Sequence, residues 1–296
     1  MRSSPARRNE GFWGWLFVAP AVLGLAVFTF LPTLGSFFLS FERWDLLGSP
    51  QWVGLSNYTD LAADPLFYQV MGQTFAFSAM YTALDLVLAL GLALALNQKL
   101  RALDWLRTAY VVPLVCSMVA GAILWNWIYD PRTGVLNACL AVLHLGPVRW
   151  LSDPHWALFS LVIVSVWKNL GYDMLLFLAG LQAVPSQLLE SASLDGAGAW
   201  QRFRNVTLPM LGPTLVMVGM LAVIRAFQTF DTVYLMTAGG PHRATTIVGY
   251  WLFQNAFTYF KLGKASALAY VLFAILAGLS ALQWRLRTRF AHQEDA

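Results

Sequence analysis

Four polar side chains stand close together inside an otherwise apolar run of this 296-residue chain: Lys168, Asn169, Tyr172 and Asp173. On a helix, Lys168/Tyr172 and Asn169/Asp173 are i,i+4 neighbours, so each pair shares a face. Amide and carboxylate groups beside an aromatic ring can hydrogen-bond hydroxyls and stack on the C–H face of a pyranose, which is the chemistry of sugar recognition. The same residues equally suit a polar clamp between helices, such as a Lys168–Asp173 pair. Ionisable groups inside a membrane span are costly and mark a pathway or a partner, and both readings answer to that rule. A second set follows at Arg225 and Gln228, spaced i,i+3 among Phe227, Phe230 and Tyr234, with Asp231 toward the outer edge. A cation there can face an anionic solute such as a glycerol phosphate, or snorkel outward. Asp85, in the second apolar run, is a further carboxylate inside a span, read as a packing or helix-contact residue.

No enzyme constellation accompanies these groups. The chain has no Walker-type glycine–lysine loop, so ATP hydrolysis is expected in a separate subunit. His144, His155, His242 and His292 are scattered without ligand spacing, and Gly196 and Gly198 make a weak phosphate cradle. The two cysteines, Cys116 and Cys139, form neither a disulfide framework nor a metal pattern. No catalytic residue, cofactor or metal is expected.

The elements that must position the polar groups follow from composition. The chain is 58% hydrophobic and 11% charged, against roughly 25% charged in soluble domains. That balance requires a lipid bilayer. A net charge of +4, spread along the chain, gives no basis for nucleic-acid binding. Apolar runs predict six membrane-spanning helices, at about 12–41, 68–96, 106–129, 155–183, 210–234 and 262–284. The first contains Pro20 and Pro32 and is expected to be kinked. It is about twice the ~7–15-residue apolar core of a cleaved leader, so it reads as a retained span. Residues 42–67 mix charges with Trp44, Trp52 and Tyr58, as an interfacial stretch does. Asp130-Pro131-Arg132-Thr133-Gly134 is a turn signal, followed by a loop with room for one short helix. Ile247–Tyr259 is too short to cross and reads as interfacial or re-entrant. With the N-terminus inside, eleven basic residues fall on inner segments and six on outer ones. The positive-inside rule therefore places both termini in the cytoplasm. No internal repeat is evident, and the spans are expected to form a single domain over 1–296.

Between the fourth and fifth spans lies a polar island, Val184 to Pro209, reading VPSQLLESASLDGAGAWQRFRNVTLP. It predicts two short helices joined by a bend. Ser186 is placed as the N-cap of the first, and Gly196 and Gly198 supply the positive-φ freedom of the turn. Leu188, Leu189 and Ala192 offer an apolar contact surface, with Glu190, Asp195, Arg202 and Arg204 at its margins. The charge count puts this island on the cytoplasmic side.

The sequence of the island resembles a known motif. Glu190-Ser191-Ala192, Asp195-Gly196-Ala197, Phe203 and Thr207-Leu208-Pro209 are similar to the cytoplasmic "EAA" loop of membrane-spanning subunits of binding-protein-dependent ABC importers. Flanking residues Leu178 to Gln182, Val184-Pro185, Phe230-Asp231 and Gly239-Gly240-Pro241 resemble the carbohydrate branch, the maltose-type and glycerol-phosphate-type permeases. The likeness covers nearly the whole chain. Ser191 stands where the pattern usually has alanine, one small residue for another. The resemblance implies an all-α integral membrane protein with the type I importer permease fold and a cytoplasmic coupling-helix loop. It also implies a function: a sugar or polyol-phosphate permease in a prokaryotic plasma membrane. Its partners would be a second, unlike permease packed against the first span, two copies of an ABC ATPase and an extracytoplasmic solute-binding protein. Docking on the ATPase is carried by the resemblance to Glu190, Ser191, Ala192, Asp195, Gly196, Ala197, Leu208 and Pro209. An ion-coupled secondary transporter, with Asp85 and Asp173 as ion-coupling carboxylates, is the alternative.

Overall fold

The computed structural model describes residues 5–46, 48–97 and 103–291. Expectations resting on Arg2, on the Gln98-Lys99 and Arg101 turn, and on His292 lie outside these residues. The chain divides into two compact units, residues 1–64 with 252–271 and residues 65–251 with 272–296.

In the first unit, helix α1 (Pro5–Leu25) passes through a π-helical turn at Ala26–Phe30 into α2 (Leu31–Leu39). The expected kinks are mild, for residues 14–39 form one span without a sharp bend. Proline at 32 would press its ring on the carbonyl four residues earlier, and the widened turn at 26–30 lies at that place. None of the residues in the apolar window of this span is buried, which fits a helix that faces lipid or another chain. The mixed stretch after it folds rather than lying loose. A two-residue hairpin, β1 (Glu42–Arg43) with β2 (Gln51–Trp52), pairs antiparallel and leads into α3 (Ser56–Ala63). Buried Asn57 ties the pieces together, donating to the carbonyls of Ser40 and Glu42, both at 2.9 Å. Tyr270, on the first part of α15 (Leu262–Ala291), donates to the Thr33 carbonyl at 2.5 Å, and Lys264 bonds Asp64 at 2.9 Å.

The second unit holds the site. Helices α4 (Pro65–Leu96) and α8 (Pro154–Gln182) pack along their lengths, and α12 (Gly212–Gln228) lies against both. Asp153 starts α8, its carboxylate accepting from the His155 amide at 2.9 Å. That bond, first among several to His155, holds the Asp153 carboxyl below its ordinary range. The three helices meet in two apolar layers. One contains Phe77 and Tyr81, Leu161, Val162 and Val166, with Ala222 and Ala226. The other contains Ala89, Ala93 and Leu96, Met174, Phe177 and Leu181, with Leu211 and Val218. Alanines at the contacts let the backbones approach, the usual device of helices packed in lipid.

Two of the expected spans are broken. The run at 106–129 is α5 (Leu103–Val115) and α6 (Met118–Ile128), bent by 110° at the Cys116-Ser117 junction. Pro113 cannot donate to the turn before it, and Ser117 is extended, with φ −60° and ψ 138°. The run at 210–234 is also shorter than expected. It enters through α11 (Leu208–Met210), bends by 68° at Leu211, and ends when the chain turns at Thr229 before α13 (Asp231–Met236). Among the described residues, four helices are long and apolar enough to cross a bilayer, and the count is six when each bent pair is one span. A short helix α7 (Val135–Val142) occupies the loop that follows Asp130. In the 247–259 stretch, α14 (Val248–Phe253) and a π-turn (Gln254–Thr258) are together too short to cross.

A cavity behind the α5–α6 break and an exposed helical loop

The midpoint of α8 is where the sequence-predicted polar residues gather, but they do not pair as a Lys168–Asp173 clamp. Lys168 Nζ donates to the carbonyls of Pro113 at 2.8 Å and Leu114 at 3.1 Å, and also to that of Cys116. These are carbonyls that the end of α5 leaves without helical partners. The lysine thus caps a broken span from a neighbouring helix. One turn on, Gly171 lets α5 approach closely. A Cβ there would overlap the Tyr110 carbonyl oxygen and stand 3.1 Å from Val111 Cα.

Asp173 faces the other way. Its carboxylate is fully buried and accepts from Arg225 of α12, whose side chain is 26% exposed. Arg225 also lies over the Tyr172 ring, 5.5 Å from its centre, a cation–π contact. Asp85 of α4 is fully buried beside this pair, within electrostatic reach of both Asp173 and Arg225. Neither of its oxygens finds a full hydrogen bond among the described residues. Asp85, Asp173 and Arg225 thus form a buried cluster fed by three helices.

Beside the cluster opens a cavity of about 250 Å³. Four of the six residues proposed from sequence, Lys168, Asn169, Arg225 and Gln228, line it, while Tyr172 and Asp173 stand behind Arg225. Sequence reasoning missed Tyr81, Met118, Ser165, Thr229 and Thr232, and set Asp231 at the margin although it also lines the cavity. A signal existed for two of them. Tyr81 lies one helical turn from Asp85, and Ser165 one turn from Asn169. Both hydroxyls are buried and make no full hydrogen bond among the described residues, although Tyr81 lies close to Arg225. Asn169 donates to the Ser165 carbonyl at 2.9 Å.

The polar island after α8 forms the two helices expected, α9 (Ser186–Leu194) and α10 (Ala199–Arg202). Pro185, not Ser186, occupies the N-cap, and no side chain caps the helix there. Only Gly196 takes a positive φ, +80°, whereas Gly198 has φ −66°. The α9 terminus is closed by two backbone bonds, Gly196 to the Ser193 carbonyl and Ala197 to the Ala192 carbonyl. That is the Schellman arrangement, which requires a left-handed residue after the helix. Glu190, Ser191, Asp195, Gly196 and Pro209 are exposed, and Ala192, Ala197 and Leu208 are half-buried. Leu188, Leu194 and Trp200 are exposed apolar side chains on the same loop. A π-turn at Phe203–Thr207 leads from α10 into α11.

Broken spans around a polar cavity, with a structured loop outside the apolar helices, define a polytopic membrane protein of the transport class. The model of the binding-protein-dependent transport system inner membrane component family matches residues 86–286, and the chain belongs to that family. It is 36% identical to the probable ABC transporter permease protein YesP of Bacillus subtilis, over 100% of this chain and 96% of the relative. It is 35% identical to the trehalose/maltose transport system permease protein MalF of Thermococcus litoralis, over 93% of each. The fold matches a chain in a bacterial alginate ABC transporter crystallised with an alginate pentasaccharide-bound periplasmic protein. That match has a TM-score of 0.83 at 20% identity, covering 95% of this chain and 96% of that one. The fold is the type I importer permease fold.

Proposed function

We propose that this chain is one membrane-spanning permease subunit of an ATP-driven importer of a sugar or related polyol phosphate. It forms the translocation pathway with a second permease and couples to an ABC ATPase dimer through the 184–209 loop. An extracytoplasmic binding protein delivers the solute. The spans over 1–296 act as one permease domain in a prokaryotic inner membrane, with both termini in the cytoplasm as the basic-residue count favours.

The observation that carries this reading is the connection made by α8. One continuous helix bears the cavity residues Ser165, Lys168 and Asn169 at its middle and runs directly into the exposed helical loop. The relative named for trehalose and maltose supports a carbohydrate solute. Leu188, Leu189 and Ala192 suit an apolar cleft on the ATPase, Glu190 a basic residue at its rim, and the closed Gly196 turn gives the rigidity that force transmission needs. No observation favours the ion-coupled alternative.

Affinity purification of the tagged chain from native membranes in mild detergent tests the proposal. A second permease and an ATPase should co-elute, and a Glu190→Lys/Gly196→Pro double variant should lose the ATPase. A chain that elutes alone even after crosslinking would overturn it.

A further inference from the structure

The cavity holds two cations, Lys168 and Arg225, and at first sight invites an anion. Each cation is already held by the protein. The ammonium of Lys168 is spent on three carbonyls at the end of α5. The guanidinium of Arg225 is bound by fully buried Asp173, with fully buried Asp85 behind it. A third carboxylate, Asp231, lies on the cavity wall itself. Asp173 and Asp231 alone set two carboxylates against the two cations, so the cavity carries no net positive field. A phosphate, sulfonate or uronate entering it would shed water without gaining a free counter-charge, which is among the most costly transfers a site can impose.

The remaining lining is of a different kind. Tyr81, beside Arg225, and Ser165 present buried hydroxyls that make no full hydrogen bond among the described residues, and buried polar groups normally have a partner. Gln228, Thr229, Thr232 and the carboxamide of Asn169 add neutral donors and acceptors around the same space. Arg225, held in place and neutralised by Asp173, still has N–H groups to offer a hydroxyl.

We propose that the cavity selects an uncharged, hydroxyl-rich solute, and that Lys168 and Arg225 shape its wall rather than bind an anion. This rests on the importer reading above and narrows it, setting a neutral sugar or polyol against a polyol phosphate.

The test has two stages. First, the host strain and a deletion strain lacking this chain are fed the same hydrolysed polysaccharide mixture, spiked with glycerol phosphate and uronic acids. Depletion of each solute is followed by mass spectrometry. The solute that only the host strain removes should be neutral. Second, that solute and its phosphorylated or carboxylated derivative are titrated against the purified transporter without its binding protein, at equal ionic strength. Binding is read by intrinsic tryptophan fluorescence. The neutral form should bind at least ~10-fold more tightly, a difference of about 1.4 kcal/mol. A chain-dependent solute that is itself an anion, or a derivative that binds as well as its neutral parent, would overturn the proposal. If no sugar or polyol depends on the chain, the importer reading fails, and this narrower one with it.

Discussion

Replacing Asp173 with asparagine strands a buried guanidinium while leaving the side-chain shape almost unchanged. Asp173 is wholly enclosed, and about a quarter of the Arg225 side chain reaches the cavity. Two unit charges ~4 Å apart attract by about 4 kcal/mol at an effective dielectric constant of ~20. Removing one partner from a fully buried pair costs ~3–5 kcal/mol. The exposed part of Arg225 remains solvated, so the loss should sit below that range, at ~2–3 kcal/mol. With roughly 2–4 °C per kcal/mol for a chain of this size, the apparent melting temperature in mild detergent should fall by ~4–12 °C. Tryptophan fluorescence during a thermal ramp provides the assay. The Asp173→Asn/Arg225→Gln double variant leaves no lone charge and should recover most of the loss, since the pair couples directly. An unchanged melting temperature for Asp173→Asn would refute the reasoning. So would a double variant that loses the sum of the two single effects.

Gly171→Val should clash with the α5 backbone and cost at least ~1–3 kcal/mol, read as a lower yield of monodisperse protein, with Gly171→Ala milder. Gly196→Val forces a β-branched residue to φ +80°, a penalty of roughly 1–2 kcal/mol, confined to the loop. Membrane insertion should be normal in immunoblots while solute-stimulated ATPase activity of the assembled transporter falls. Lys168→Met removes the donor from three carbonyls at the α5–α6 corner, so amide exchange in residues 112–118 should speed up while that in α4 does not. Outside the spans, the Thr133 amide, then the Arg132 amide and the Thr133 hydroxyl, hold the Asp130 carboxyl below its ordinary range. A depressed folded-state value means the stabilisation is complete above the unfolded carboxylate range, near pH ~4, and disappears as pH falls through the lower folded value. The stability gap between wild type and Asp130→Ala should be flat from neutral pH to about 4 and close below it.

Much of the scaffold was legible because hydropathy reports lipid contact directly. The long runs that became α4 and α8 carry no strong breaker, and the island at 184–209 stood out by charge alone. The break at Cys116-Ser117 did not stand out, since the residues on both sides are apolar and a hydropathy window averages across the corner. Lys168 was found from its cost in a membrane, but its partners were not, because backbone carbonyls have no letter and lie more than fifty residues upstream. The Asp173–Arg225 pair joins residues on separate helices, so helical spacing within α8 pointed to Lys168 instead. Tyr81 was marked only by its place one helical turn before Asp85, itself read as a packing residue. The hairpin at 42–52 was hidden for a simpler reason: two-residue strands leave no alternation to detect.

Lys168 divides α8 evenly. Fourteen residues separate it from Pro154 and fourteen from Gln182, so each arm is about 21 Å long at ~1.5 Å per residue. The lysine cap and the Gly171 contact press the helix against α5 near that midpoint, as a fulcrum presses on a beam. A beam held there has equal arms, and what its two ends do is linked in sign as well as size. A tilt of about 10° would carry the end joined to the loop ~4 Å one way and the Asp153 end ~4 Å the other. The cavity wall near the pivot would hardly move. Leverage of this kind can open one side of a membrane while closing the other and still keep the residues around a solute in register.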